Sequence, residues 1–224
     1  MKRTNSLFVT GTDTGVGKTL VVAGLARMLA NRGLSVGAFK PVASGGLTSE
    51  DGKLLQKAAR FPDSAYPDIV PVHYKQPLAP WVAGWKEGEV DLPKINRAYQ
   101  KARASWDCLI VEGVGGVLVP ITESFLVADW IVKWKLPALV VARAGLGTIN
   151  HTLLTVEALQ KRKIRVLGVV VNGFKGKTVA ERTNIQALRK ILRVPVYGPL
   201  KFNPKYRTDL DLLAKDIQTL GIKL

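Results

Sequence analysis

Cysteine is nearly absent from this chain of 224 residues: Cys108 stands alone, so no disulfide can close within one molecule. It sits in the apolar run Asp107-Cys-Leu-Ile-Val111, a setting for a buried thiol rather than a nucleophile. Histidine occurs twice, as His73 and His151, and no Cys/His metal spacing or Ser/His/Asp arrangement can be traced. Long hydrophobic runs are missing too. Stretches such as 136–141 and 166–171 fall far short of the roughly 20 residues that span a bilayer. The first apolar strand begins within a few residues of Met1, so no secretory signal is expected, and the cytoplasm is the expected location. Acids are scarce between residues 130 and 207, where 16 Lys/Arg face only Glu157 and Glu181. That span therefore carries +14 of the net +16. Such charge can attract nucleic acid or anionic substrates, but a solvated basic surface on helices, as at Lys161-Arg162-Lys163, is the favoured reading. No aromatic ribonucleoprotein signature, finger or basic tail accompanies it, so neither a nucleic-acid nor a membrane partner is expected.

What is present is an alternation of short apolar runs with longer stretches of helical period. The runs are 7–10, 36–39, 108–111, 138–142, 166–171 and 195–197. Helical stretches are expected at 18–31, 51–60, 92–104, 125–135, 148–162, 177–192 and about 208–219. Near-continuous Val/Ile/Leu runs between helices indicate a parallel sheet covered on both faces. The fold class is therefore α/β, a doubly wound, mainly parallel sheet, and the whole chain, 1–224, reads as one domain. Region 62–93 holds 6 of the 12 prolines and reads as a structured excursion of that domain. In such sheets ligands bind beyond the carboxyl ends of the strands, which directs attention to the residues after each run.

Three strand ends carry chemistry. Gly11-Thr-Asp-Thr-Gly-Val-Gly-Lys-Thr19 is a glycine-rich loop between strand and helix, of the kind found in P-loop NTPases. Its amides can form an anion nest, with Lys18 reaching the β/γ-phosphates and the Thr19 hydroxyl available to Mg²⁺. Five residues rather than four separate Gly11 from Gly17, and Thr12 stands where the usual pattern has its first glycine. In Phe39-Lys-Pro-Val-Ala-Ser44, Lys40 closes the second strand and would face a transferring phosphoryl group, although a lone lysine is also commonly a solvated cation. In Leu109-Ile-Val-Glu-Gly-Val-Gly-Gly116, Glu112 is placed as a Walker-B-type carboxylate for Mg²⁺. Asp51 could supply a second carboxylate or simply complement a helix dipole. Asn172 could pair with an adenine edge or serve in a turn.

Taken together, 9–19, Lys40-Pro-Val-Ala-Ser44 and Val111-Glu-Gly-Val-Gly-Gly116 resemble the dethiobiotin synthetases, ATP-dependent enzymes of biotin synthesis. Ala128-Asp-Trp130, Leu146-Gly-Thr-Ile-Asn-His151 and Val171-Asn172 follow in the family's order, so the resemblance covers about residues 6–200. It implies a ligase that uses ATP and Mg²⁺ to convert 7,8-diaminopelargonate and CO₂ (or bicarbonate) to dethiobiotin through a carbamate and a carbamic–phosphoric anhydride. The implied catalytic residues are Lys18, Lys40, Thr14 and Ser44. ATP is implied to contact Gly11, Thr12, Asp13, Thr14, Gly15, Val16, Gly17, Lys18, Thr19, Asn172, Gly198, Pro199 and Leu200. Mg²⁺ falls to Thr19, Asp51 and Glu112, and substrate to Thr14, Lys40, Ser44 and Gly115. A homodimer is implied as well, with Gly147, Thr148, Ile149 and Asn150 of the second subunit holding the substrate's far carboxylate and Asn184 a further candidate for its tail. The chain departs from the family at Trp81, where Pro77-Leu-Ala-Pro80 is commonly followed by histidine, and at Lys201, where proline is frequent.

The rival class is a partitioning or positioning ATPase that dimerises on ATP. Its loop carries an early lysine, and here Asp13 occupies that place. A cobyrinic-acid-type amide ligase would need a glutaminase domain for which 224 residues leave no room.

Overall fold

The computed structural model describes residues 6–46, 48–61 and 66–223. Six strands form one parallel sheet: β1 (Leu7–Gly11), β2 (Val36–Phe39), β5 (Cys108–Gly116), β8 (Ala138–Arg143), β9 (Val166–Phe174) and β10 (Val196–Lys201). Their spatial order is β10-β9-β8-β1-β5-β2. β1 is flanked by β5, with Phe8 opposite Val111, and by β8, with Phe8 opposite Ala138. Successive side chains leave a strand on opposite faces, and Leu7, Val9 and Ile110 accordingly enter one core while Phe8, Leu109 and Val111 enter another. That two-sided burial is why the strands read as unbroken apolar runs.

The first core packs beneath α1 (Lys18–Asn31), α2 (Glu50–Ala58) and α9 (Leu210–Thr219). The second packs beneath α5 (Leu92–Ser105), α6 (Val127–Lys133) and α7 (Thr148–Lys161). There the rings of Tyr99, Trp134 and Trp130 stack in series, with centroids 4.0 and 5.6 Å apart. α8 (Val179–Ile191) closes the β10 edge through Ile185 and Leu188. Cys108 is buried, and burial pushes its thiol up to about 11, an inert group as expected. No helix among the described residues is long and apolar enough to cross a membrane.

Several strands outrun their apolar cores. β5 continues past Glu112 to Gly116, which pairs with Gly11. β9 continues past Asn172 to Phe174, and β10 reaches Lys201, because Leu200 pairs with Asn172 and Lys201 with Phe174. Pairing with a neighbour thus overrides the low strand propensity of Gly and Asn. Lys40 lies one residue beyond β2, and the helix expected from 51 begins at Glu50. The proline-rich region contains α3 (Tyr66–Ile69), β4 (Val72–Tyr74) and α4 (Pro80–Glu87); its residues 62–65 lie outside those described, as does position 47 of the loop at 44–49. β4 pairs with β3 (Val42–Ser44), and β6 (Pro120–Thr122) pairs with β7 (Phe125–Leu126); neither small sheet was expected from periodicity. Trp81, in the place of the family's histidine, packs edge-on against Trp85 within α4.

Helix ends reveal a compositional choice. α1 closes with Gly33 at φ +81°, its Leu34 N–H reaching back to the Leu29 carbonyl. α2, α6 and α7 close in the same Schellman geometry, but with Arg60, Lys135 and Lys163 in the left-handed position, at φ +58°, +53° and +57°. Each such residue costs on the order of 1 kcal/mol relative to glycine.

The contact between α1 and α9 yields a test. A Cβ added at Gly24 would lie 2.6 Å from Ile217 Cγ1 and 3.0 Å from Leu213 Cγ, both on α9. Alanine gains about 1 kcal/mol in helix propensity, whereas overpacking costs about 1–3 kcal/mol. Gly24→Ala is therefore expected to lower stability in a urea melt; a stabilised variant would mean that α9 is free to shift.

Candidate functional site

The sheet order sets the site. β5 lies between β1 and β2, so the loop after β1, the residue after β2 and the middle of β5 converge at one end of the sheet. The loop 11–17 turns through Gly15 (φ +74°) and Gly17 (φ +91°) into α1. Gly17 caps α1 without any side-chain bond, so the helix begins with donors open to a ligand. Asn172 reaches over from β9, its Nδ2 donating to the Val16 carbonyl at 2.9 Å, and its amide occupies the space a side chain on Gly17 would need. Lys18 Nζ donates to the Asp13 carbonyl at 3.0 Å, which holds the ammonium under the loop.

Opposite the loop stands a buried charge cluster. Glu112 is 1 % exposed. Its Oε1 accepts from Lys40 Nζ at 2.8 Å and from the Thr19 hydroxyl at 2.8 Å. Lys40 Nζ also donates to Asp51 Oδ2 at 2.7 Å. Glu112 Oε2 has no hydrogen-bond partner among the described residues. Burial alone would lower the pKa of Lys40, but the charges of Glu112 and Asp51 outweigh it and raise the ammonium above its ordinary value. For Lys18 burial prevails over the attraction of Glu112, with Lys40 adding to it, and the pKa falls. Asp51 is pulled below the usual carboxylate value because Lys40 and the Thr19 hydroxyl overcome the effect of its burial.

These groups open on a cavity of about 530 Å³. Of the residues expected at the site, Thr14, Gly15, Val16, Gly17, Lys18, Thr19, Lys40, Ser44, Asp51, Glu112, Gly115 and Asn172 line it. Gly11 ends β1 beneath the loop, while Thr12 and Asp13 face a second depression of about 480 Å³ with His151 and Leu154. Gly147, Thr148, Ile149 and Asn150 form the start of α7 and do not line the cavity. Gly198, Pro199 and Leu200 belong to β10, with a cis peptide at Gly198–Pro199, and stand outside it too. Asn184 is buried and donates to the carbonyls of Ala144 and Gly145, so its amide is engaged in holding the turn before α7.

Sequence reasoning missed Arg143, Phe202 and Arg207, which also line the cavity. Arg143 is the last residue of β8, where the strand-end rule applied to the other runs would have found it. Its Nη2 lies 3.1 Å from Asp13 Oδ2 and 3.1 Å from His151 Nδ1, and Asp13 Oδ1 accepts the Thr14 amide at 2.7 Å. Phe202, beneath the ammonium of Lys175 at 4.5 Å, and Arg207 lie beyond β10 in a stretch without any motif.

Chemically, two buried ammonium groups and two carboxylates balance one another. An anion alone would enter against Asp51 and Glu112. A divalent cation fits the donor set: two carboxylates, one with an unpartnered oxygen, and the Thr19 hydroxyl, leaving positions for water and phosphate oxygens as magnesium prefers. A cation there would free Lys18 and Lys40 from the attraction of the carboxylates.

Comparison with known proteins adds the following. A family model described as an AAA domain matches residues 5–208. The chain is similar to the ATP-dependent dethiobiotin synthetase of Aquifex aeolicus, 42 % identical over 215 residues, covering 95 % of this chain and 94 % of the relative. It is likewise similar to the synthetase of Methanococcus vannielii, 47 % identical over 167 residues, covering 74 % and 78 %. Among solved structures it resembles the septum site-determining protein MinD of Pyrococcus horikoshii complexed with Mg-ADP, with TM-score 0.61 and 14 % identity over 96 % of this chain and 95 % of that one. A putative plasmid partition protein of Borrelia burgdorferi bound to AMPPNP gives 0.59 and 10 %, covering 98 % of each chain. Likeness at that identity concerns the P-loop ATPase fold.

Removing Lys40 should expose the cost of burying Glu112. Lys40→Met is expected to lose about 3–5 kcal/mol in denaturant melts, because an uncompensated carboxylate stays in the sheet. Adding Glu112→Leu should recover most of that loss. If the double variant were no more stable than the single one, the two groups would not be coupled as the geometry indicates.

Proposed function

The chain belongs to the ATP-dependent dethiobiotin synthetase family of ligases, and on that premise we propose that it closes the ureido ring of dethiobiotin from 7,8-diaminopelargonate, CO₂ and ATP. The observation that carries this reading is the pair of buried ammonium groups, Lys18 and Lys40, set against Asp51, Glu112 and Thr19 at the mouth of an uncapped helix.

The reaction brings one anion against another. One amine of the substrate bonds to CO₂ and sheds a proton, giving a carbamate. A carbamate oxygen attacks the γ-phosphorus while the bond to the β-phosphate oxygen breaks and ADP leaves. The second amine then attacks the carbonyl carbon of the mixed anhydride, the C–O bond to phosphate breaks, and the five-membered ring closes. No step requires an enzyme nucleophile; what is required is positive charge around the transferring group. In this reading Lys18, held by the Asp13 carbonyl, serves the β/γ-phosphates, and Lys40 swings from its carboxylates toward the γ-phosphoryl oxygens. Thr19, Asp51 and Glu112 hold Mg²⁺, which when bound neutralises the phosphate charge. Thr14 and Ser44 hydrogen-bond the carbamate, and Gly115 leaves room for the diamine. Loop residues 11–19, Asn172 and Gly198-Pro199-Leu200 serve ATP. Because the Asn172 amide already holds Val16, its contribution includes fixing the loop.

The same reading makes the protein a single domain and a homodimer. Thr12 and Asp13 face a depression lined by the half-exposed Leu118 and Leu154, and Leu146 is 86 % exposed before α7. These apolar groups support a second subunit that brings its Gly147, Thr148, Ile149 and Asn150, a helix N-terminus, to the substrate's carboxylate. The partitioning ATPases share the fold, but Asp13 stands where their early lysine would be, and here it is engaged by Arg143.

Incubating the protein with diaminopelargonate, bicarbonate, ATP and Mg²⁺ should yield dethiobiotin by mass spectrometry. Absence of product from folded, ATP-binding protein would sink the reading. Lys18→Ala and Lys40→Ala are each expected to lower kcat at least about 100-fold. A Lys40→Ala enzyme with near-normal kcat would remove Lys40 from the phosphoryl group.

A further inference from the structure

The basic span does not form one surface. Of its 16 cations, Arg143, Lys175, Lys177, Arg182, Lys201, Lys205 and Arg207 follow the carboxyl ends of β8, β9 and β10, around the cavity. The other nine belong to the connections at the opposite edge, before the amino ends of the same strands; of these, Arg189 donates to the Val196 and Gly198 carbonyls and Arg162 to the Ala158 carbonyl. Lys133 and Lys135 precede β8; Lys161, Arg162, Lys163 and Arg165 precede β9; Arg189, Lys190 and Arg193 precede β10. These three connections are neighbours. The Ala138 N–H donates to the Arg165 carbonyl at 2.8 Å, and the Val169 N–H to the Pro195 carbonyl at 2.8 Å. Adjacent strands lie about 4.8 Å apart, so the three connections span roughly 10 Å. The one acid in this stretch that meets them is Glu157, paired with Lys161 at 2.6 Å.

Helix dipoles explain part of this. Lys133, Lys161, Arg189 and Lys190 lie in the last turns of α6, α7 and α8, where cations are favoured. They do not explain Lys135, Lys163, Arg165 and Arg193, all exposed and all beyond the helices. Lys135 and Lys163 moreover hold left-handed positions that glycine would occupy without strain. The chain thus places charge on this edge where the backbone favours another residue.

We propose that the edge formed by the connections before β8, β9 and β10 is a docking surface for the phosphate backbone of double-stranded nucleic acid, separate from the ATP cavity. The chemistry of the edge selects that partner. Its exposed large apolar groups are Val132 and Ile191, without the exposed Trp, Phe or Leu that seats a protein in a lipid interface. Exposed aromatic rings among the described residues, Trp85 and Phe202, lie elsewhere, so nothing here stacks on the bases of a single strand. Dense cations without aromatic platforms suit phosphates, independently of base sequence. This assignment does not depend on the reaction proposed above.

Fluorescence anisotropy with a labelled duplex of about 30 bp and scrambled sequence tests it on the full chain. Binding is expected near 50 mM salt, weakening by about 10³ at 200 mM if six phosphates are contacted. A variant carrying Lys135→Gly, Lys163→Gly, Arg165→Gln and Arg193→Gln should bind at least about tenfold more weakly, with a salt slope shallower by about 3–4. Its ATP-dependent turnover should be unchanged, and the two glycines, suited to their backbone, should keep or raise Tm. A control carrying Lys177→Gln, Arg182→Gln and Lys205→Gln at the carboxyl edge should bind duplex like the parent. The assignment is overturned by absence of duplex binding near 50 mM salt, by loss in the control instead, or by binding to phosphatidylglycerol vesicles with none to duplex.

Discussion

The structure depends most on one buried arrangement, the Lys40 ammonium between Glu112 and Asp51. A carboxylate in the middle of a two-faced parallel sheet is tolerable only if a cation and a hydroxyl are delivered to it. Lys40 comes from β2, next to β5, and Thr19 from the helix that follows β1, on the other side of β5. The insertion of β5 between β1 and β2 thus brings both partners to Glu112 from the two flanking strands. Lys40 is paired with both carboxylates, so Glu112 is not buried as an uncompensated charge. In the function proposed above, a divalent cation on the carboxylates would free the two lysines for phosphate.

The loop after β1 is built on a parallel principle. Its glycines allow the turn, but its position is fixed by groups from other strands. Asn172 from β9 holds Val16 from behind, and Arg143 from β8 holds Asp13, whose carboxylate in turn receives the Thr14 amide. Asp13 therefore does two things in one place. It accepts from the guanidinium of Arg143, and it receives the amide of Thr14, which lines the cavity.

Much of this was legible in the sequence because the physics was local. Strand runs such as Leu109-Ile-Val111 and the amphipathic segment that became α5 announce themselves by period, and the glycine-lysine-threonine loop by composition. Twelve of the residues named from motifs line the cavity together. What escaped was what only pairing decides. β5 and β9 run on through Gly and Asn because a neighbouring strand offers the hydrogen bonds. Arg143 was passed over because the strand-end rule was not carried to the run 138–142, and Phe202 and Arg207 because their segment follows a strand whose extent was underestimated.

The excess of positive charge shows how topology gives meaning to composition. Counted along the chain, residues 130–207 are one basic block. In a doubly wound fold every second connection returns to the opposite edge of the sheet, so a uniform block is necessarily divided between the carboxyl edge and the amino edge. At the carboxyl edge the cations have an evident counterpart, since Arg143 and Arg207 border a cavity suited to polyphosphate. At the amino edge, among the described residues, one glutamate is paired with Lys161; Arg162 and Arg189 donate to backbone carbonyls; and two lysines occupy backbone positions better suited to glycine. Charge placed against backbone preference, on an edge remote from the ATP cavity, is the feature that the proposed duplex-docking surface would explain.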